Sequence, residues 1–125
     1  MRFVYVAVAG ALGALTRYSI GLAVGPRSFP WSTFGINISG SFALGVVLTV
    51  AAGRGWAPET VAAVAIGFLG AYTTYSTFAF ESFDLAHTGR TLVAGAYVAA
   101  SVVLGILAAR AGFAVGQAVI DGRWS

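Results

Sequence analysis

The chain has no cysteine and no lysine, and only four acidic residues among its 125. Without cysteine there is no disulfide framework, no thiolate metal site and no cysteine nucleophile. Charged residues of both signs make up 9% of the chain, against about a quarter in a soluble domain. So few charges cannot clothe a globule in water. The seven basic residues are all arginine. They stand singly between apolar runs and form no stripe, which argues against nucleic acid as a partner. Catalytic groups are equally scarce. There is no Ser-His-Asp set, no His/Glu metal cluster, no phosphate loop and no pair of carboxylates deep in an apolar run, so no enzyme activity is expected. The lone His87 has no evident partner and is expected to be solvated in a loop.

What the chain does have is apolar length: 58% of it is hydrophobic. A bilayer crossing takes about 20 mainly apolar residues, and runs of that kind fall at about 3–24, 31–52, 60–87 and 92–112. These predict an all-α, multi-pass membrane protein in a single domain covering 1–125, with no internal repeat. The first run is too long for a cleaved signal peptide and carries Arg17, so it is read as a span. Arg110 is read as the end of the fourth span. The segment after it either extends that span or lies at the surface.

The third run is the unusual one. It contains Gly67-Phe68-Leu69-Gly70-Ala71-Tyr72-Thr73-Thr74-Tyr75-Ser76-Thr77-Phe78, where the hydroxyl residues at 73–76 and then Thr77 interrupt the apolar run. At about 28 residues the run is too long for one straight crossing. Irregular or polar backbone is tolerated at membrane depth only where protein buries it or a wet cavity receives it. The stretch therefore predicts a broken helix at a polar site. If the part beyond the break is helical, Tyr75 and Phe78 share a face.

Other polar groups sit at depth. Asn37 lies about two turns inside the second span, where its amide needs a partner. Interhelical glue is the favoured reading and a ligand site the alternative. Tyr97, Ser101 and Gly105 fall at i, i+4 and i+8, placing two hydroxyls and a gap on one face of the fourth span. Gly21 and Gly25 form a G-x-x-x-G pattern that admits close helix packing or simply reflects glycine's frequency in membranes. Trp31 suits an interfacial anchor. Glu81 and Asp84 are placed towards a vestibule. Together Asn37, Thr33, Thr73, Thr74, Ser76, Thr77 and Ser101, with the rings of Tyr75, Phe78 and Tyr97, offer neutral donors and electropositive ring edges that could replace the hydration shell of a small anion.

Four spans place Arg2, Arg54, Arg110 and Arg123 on one side, and Arg17, Arg27 and Arg90 on the other. Orientation follows an excess of Lys and Arg on the cytoplasmic side. A ratio of four to three gives almost no bias, so the chain is expected to insert either way up and to be able to pair as an antiparallel dimer.

The stretch 67–78 with Glu81, the segment Gly35-Ile36-Asn37-Ile38-Ser39-Gly40-Ser41-Phe42, and Gly10-Ala11-Leu12-Gly13-Ala14-Leu15-Thr16-Arg17-Tyr18 together resemble the bacterial fluoride channel family (Fluc, also called CrcB). The resemblance covers three of the four spans in order. It implies a dual-topology antiparallel homodimer in the cytoplasmic (inner) membrane, surrounded by lipid, with two narrow pores exporting fluoride passively. It implies that Asn37 bonds the ion or orients the pore lining, that Tyr75 and Phe78 occupy the two aromatic positions, and that Thr33, Thr77 and Ser101 contribute hydroxyls. Tyr97 would border the path, and Arg17 would attract anions near its entrance. The carbonyls of Gly70 and Thr73 would hold a structural sodium ion at the dimer centre. Tyr72 and Tyr75 depart from the phenylalanine usual in that family, and Gly105 removes a hydroxyl from the ladder on the fourth span. Two other readings remain open: a four-span proton-coupled multidrug exporter, and one subunit of a heterodimeric fluoride channel.

Overall fold

The computed structural model describes residues 1–122; Arg123, counted above, lies outside the described residues. Among the described residues the chain is all helix, with four helical spans long and apolar enough to cross a membrane. Helix α1 is Arg2–Val24 and α2 is Trp31–Arg54. The third span opens with a short α3, Pro58–Val61, and widens into a π-helical stretch, Ala62–Leu69. It narrows again as α4, Gly70–Tyr72, and after an interruption resumes as α5, Tyr75–His87. Helix α6 is Thr91–Ile120.

The helix ends follow from local chemistry. Gly55 closes α2 in the left-handed region (φ 65°), and the Trp56 N–H reaches back to the Ala51 carbonyl at 3.0 Å. That is the glycine-terminated turn which satisfies carbonyls a helix end leaves open. Pro58 begins α3, where its missing N–H costs nothing. Two expectations are corrected and one open alternative is decided. Arg110 does not end the fourth span, because the residues after it are as apolar as those before it and α6 continues to Ile120. His87 is the last residue of α5, its ring stacked on Phe83 at 5.4 Å. Gly21 and Gly25 do not make a close helix contact: a Cβ at Gly21 would meet only Ser32 at an ordinary 3.7 Å, and Gly25 lies beyond the end of α1.

Lipid gives apolar helices no hydrophobic reason to associate, so close backbone packing and polar contacts must hold them. Helices α2 and α6 run parallel and make the most extensive contact. A Cβ on Gly112 would strike the Phe42 carbonyl oxygen. The second main contact sets α1 against the π-helical stretch and α4, and there a Cβ on Gly13 would strike the Phe68 carbonyl oxygen. The widened π turn thus lies where its backbone meets α1.

Arginines at both ends of the bundle are held by neighbouring groups. At one end Arg2 lies 3.6 Å from Glu59, and Arg54 donates to the Val119 carbonyl at 3.2 Å. At the other, Arg27 donates to the Val24 carbonyl at 3.0 Å and Arg90 to the Ser28 carbonyl. Arg17 and Arg110 sit inside helices. Among the described residues two arginines flank each end.

Candidate functional site: a polar cleft at the broken span

The third span breaks at Thr73 and Thr74, both extended (φ −80°, ψ 159° and φ −149°, ψ 118°). A continuous helix would send the Thr74 N–H to the Gly70 carbonyl. Here it goes instead to Asn37 Oδ1 at 2.8 Å, while Asn37 Nδ2 donates to the Thr74 carbonyl at 3.0 Å. One side-chain amide thus satisfies both backbone groups of the residue at the break, which apolar surroundings would otherwise penalise.

Other side chains complete the repair. Thr74 caps α5, its hydroxyl oxygen accepting from the Thr77 N–H at 3.4 Å and its own proton going to Thr77 Oγ1 at 3.1 Å. Side-chain capping of this kind satisfies an orphan N–H at a helix start. Arg17 reaches across from α1 and donates through Nε to the Ala71 carbonyl at 3.1 Å. Ser39 and Tyr72 share a hydroxyl pair at 2.9 Å. Thr73 returns its proton to the Leu69 carbonyl at 3.0 Å.

These bonds sort the carbonyls of the break. Ala71 and Thr74 are capped by Arg17 and Asn37. Gly70 and Thr73 lose their helical donors, because the Thr74 N–H goes to Asn37 and the Thr77 N–H to Thr74. Free carbonyl oxygens at a break are the donor type that hard monovalent cations take in membrane proteins. No cluster of three or more His, Cys, Asp or Glu side chains occurs among the described residues.

The predicted site residues divide between two clefts flanking the break. Asn37, Gly70, Thr73, Tyr75 and Phe78 line a cleft of about 280 Å³ together with Ser41. Tyr75 at its edge is 79% exposed, and its ring lies 6.1 Å from that of Phe78. Arg17, Thr33 and Thr77 line a second cleft of about 300 Å³ with Glu81. Thr74 borders both.

Tyr97 and Ser101 lie on α6 and are in the lining of neither cleft. Tyr97 is wholly buried, its ring held edge-on by Phe78 at 5.1 Å and Phe29 at 5.3 Å. Its hydroxyl donates to Glu81 Oε1 at 3.0 Å, and Thr33 donates to Glu81 Oε2 at 3.1 Å. Ser101, one turn on, has a buried hydroxyl with no hydrogen-bond partner. It lies between Tyr97, which touches Phe78, and Gly105, which faces Ser41.

Neutral donors are fewer than the sequence suggested, because Thr33, Thr73, Thr74 and Tyr97 spend their protons inside the protein. What stays uncommitted is the second N–H of Asn37, the hydroxyl protons of Tyr75, Ser76, Thr77 and Ser101, and the terminal nitrogens of Arg17. Sequence reasoning left Glu81 out of the site. The signal was its place four residues after Thr77 and three after Phe78, on their helical face.

The fold and site define a multi-pass membrane protein with a polar, mostly uncharged cleft at a mid-span break. The comparison with known sequences is specific. The family described as CrcB-like protein, Camphor Resistance (CrcB), matches residues 4–113. The fluoride-specific ion channel FluC of Acidobacterium capsulatum is 42% identical over 124 residues, covering 96% of this chain and 99% of that one. A FluC of Clostridium acetobutylicum is 40% identical over 120 residues, 94% and 96% of the two chains. That of Saccharophagus degradans is 46% identical over 106 residues, 82% and 80%. The chain belongs to the CrcB family.

Proposed function

We propose that the protein is a fluoride-selective ion channel of the cytoplasmic membrane, releasing fluoride passively and so protecting the cell from it. The relatives' names, which are those of ion channels and not of enzymes, support this. The observation that carries the reading is the cleft itself. Asn37 is pinned to Thr74 with one N–H to spare, beside Phe78 and Tyr75, and Ser101 on α6 carries a buried hydroxyl without a partner. A buried unpaired hydroxyl is rare enough to need a reason, and transient bonding to a dehydrated anion supplies one. Arg17 and Thr77 in the second cleft add donors towards the same break.

The working unit is an antiparallel homodimer with two pores. The cleft of a single chain lies open along one side, where Tyr75 is exposed, and an ion path cannot face lipid. A second copy closes it, and the near-even arginine count, four to three over the sequence, permits the opposite orientation. The sodium ion fits between the copies: Gly70 and Thr73 offer carbonyls released from the helix, and no side-chain ligand is required. When bound, sodium would lock the two breaks together. Glu81 accepts bonds at both oxygens, and the names of the relatives do not favour a proton-coupled exporter.

The test is fluoride efflux from liposomes containing this chain alone, read with a fluoride electrode beside a chloride control. Fast fluoride loss without chloride loss, abolished by Asn37→Ala, supports a self-sufficient channel. Silence from folded protein that a second, different family subunit reverses would replace the homodimer with a heterodimer. Silence in both settings would overturn the reading.

A further inference from the structure

Helices α1 and α3 open at the same end of the bundle, where Arg2 lies 3.6 Å from Glu59, and apolar sequence runs inward from both. Beside Glu59 the two spans leave a groove of about 540 Å³. On α1 it is lined by Val4, Val8 and Leu12, at i, i+4 and i+8 on one face. Ala63 and Val64 of the third span form the facing wall. Val4, Val8 and Leu12 are each just over half exposed. None of the lining residues borders either polar cleft at the break, so the groove stands apart from the candidate ion path.

The polar members of the lining are Glu59, Thr60 and Tyr5, all near the starts of their helices and so at the outer end of the groove. From Tyr5 to Leu12 the groove runs inward about 10 Å along α1, with a polar mouth and an apolar depth. Arg2 stands outside the lining, joined to it through Glu59. That ion pair is open to its surroundings, its side chains 61% and 41% exposed. Exposed pairs contribute little to stability, and this one leaves capacity unused. Arg2 meets only Glu59 Oε1, so the second carboxylate oxygen and the other guanidinium N–H groups stay free. A second copy seated here would have to bury the pair, at a desolvation cost. A bare hydrocarbon tail would leave the mouth unused. A cation and an anion side by side over an apolar groove match an amphiphile whose headgroup carries both signs.

We propose that this groove holds a zwitterionic phospholipid with a primary-amine headgroup, phosphatidylethanolamine. Its phosphate meets the Arg2 guanidinium, its ammonium meets the Glu59 carboxylate, and one acyl chain runs inward past Val4, Val8 and Leu12. The headgroup thus stays at the end of the bundle and the tail in hydrocarbon. The guanidinium fork matches phosphate oxygens, and a primary ammonium brings three N–H donors to the carboxylate. A choline headgroup carries the same charges without an N–H to donate. A glycerol headgroup has the phosphate but no cation for Glu59.

Native mass spectrometry of the whole protein, released from detergent with dioleoyl phosphatidylethanolamine, phosphatidylcholine or phosphatidylglycerol added, tests the proposal. Phosphatidylethanolamine is expected to be retained about fivefold more than either of the others, the ratio one exposed charge-assisted contact produces. Glu59→Gln should bring phosphatidylethanolamine and phosphatidylcholine level. Val8→Trp, a change at an exposed position that fills the groove, should lower retention of all three lipids and leave the protein's oligomeric mass unchanged. Equal retention of the ethanolamine and choline lipids by the unmutated protein, a comparison that needs no variant, would overturn the proposal. Phosphatidylglycerol retained above both would overturn it too, since Arg2 alone would then be selecting an anion. So would a Val8→Trp variant that loses dimer mass, because the groove would then belong to a second copy.

Discussion

Asn37 holds Thr74 by both ends of its amide, accepting from the Thr74 N–H at 2.8 Å and donating to the Thr74 carbonyl at 3.0 Å. The two residues are 37 positions apart and belong to different spans, so the break in the third span is held from outside itself. Asn37→Ala removes both bonds and strands two backbone groups. The expected cost is about 2–4 kcal/mol, from a net value near 1 kcal/mol per bond plus the unpaired groups. Fluoride efflux from liposomes should fall by about tenfold or more, and thermal unfolding in detergent should shift down with it. Asn37→Asp keeps the acceptor but loses the donor and should behave almost as badly.

Tyr72→Phe is expected to be mild. It deletes the hydroxyl that meets Ser39 at 2.9 Å, a bond exposed to its surroundings. The cost should be about 1 kcal/mol or less, with efflux changed by no more than about twofold. A double-mutant cycle with Ser39→Ala measures the coupling directly. A large coupling would show that the pair fixes the geometry of the break.

Tyr97→Phe should preserve the aromatic packing against Phe29 and Phe78 while removing one of the two donors to Glu81. A hydrogen bond to a carboxylate is worth about 1.5–3 kcal/mol. We expect a loss near the lower figure, since Thr33 still donates to Glu81. The melting temperature reads the stability change, and liposome efflux reads whether the Glu81 position matters for conduction.

Gly112→Val should prevent assembly of the bundle, because its Cβ would meet the Phe42 carbonyl and backbone cannot swing aside. Overpacking of this kind costs about 1–3 kcal/mol even in forgiving sites. Gly95 on the same helix has open space where a Cβ would stand, with nothing within 4 Å. Gly95→Ala should therefore be neutral or stabilising by a few tenths to about 1 kcal/mol. Size-exclusion profiles of the two variants should differ plainly.

Sodium dependence follows from the carbonyls released at Gly70 and Thr73. Exchanging sodium for N-methyl-D-glucamine should abolish fluoride efflux, and returning sodium should restore it. Efflux that persists after exhaustive exchange would count against a structural sodium ion.

The four spans and the break were legible because each is written locally. Apolar length marks the spans, and the hydroxyl run at 73–76 marks the break. The clamp was half legible. Asn37 announced itself as an amide that must find a partner, but nothing local names Thr74 as that partner. The fate of each hydroxyl was hidden for the same reason. Thr33 and Tyr97 read as free donors until Glu81 was brought between them by the folding of three spans. Charge misled at Arg110, where an arginine looked like a boundary although the apolar sequence runs on to Ile120. Glycine spacing alone left close packing and mere frequency undecided at Gly21 and Gly25. The decisive glycines, Gly13 and Gly112, are set by backbone contacts with residues far along the chain.

The position of the clamps along the chain has a consequence for biogenesis. Helix α5 has 13 residues, about 20 Å, too short to cross the hydrocarbon unaided. The side chains that reach the break from other spans, Arg17, Asn37 and Ser39, all precede it in the chain. A ribosome therefore delivers the staples before the wound. The third span emerges into a membrane where its missing hydrogen bonds are already on offer, and the order of the spans is itself a safeguard during insertion.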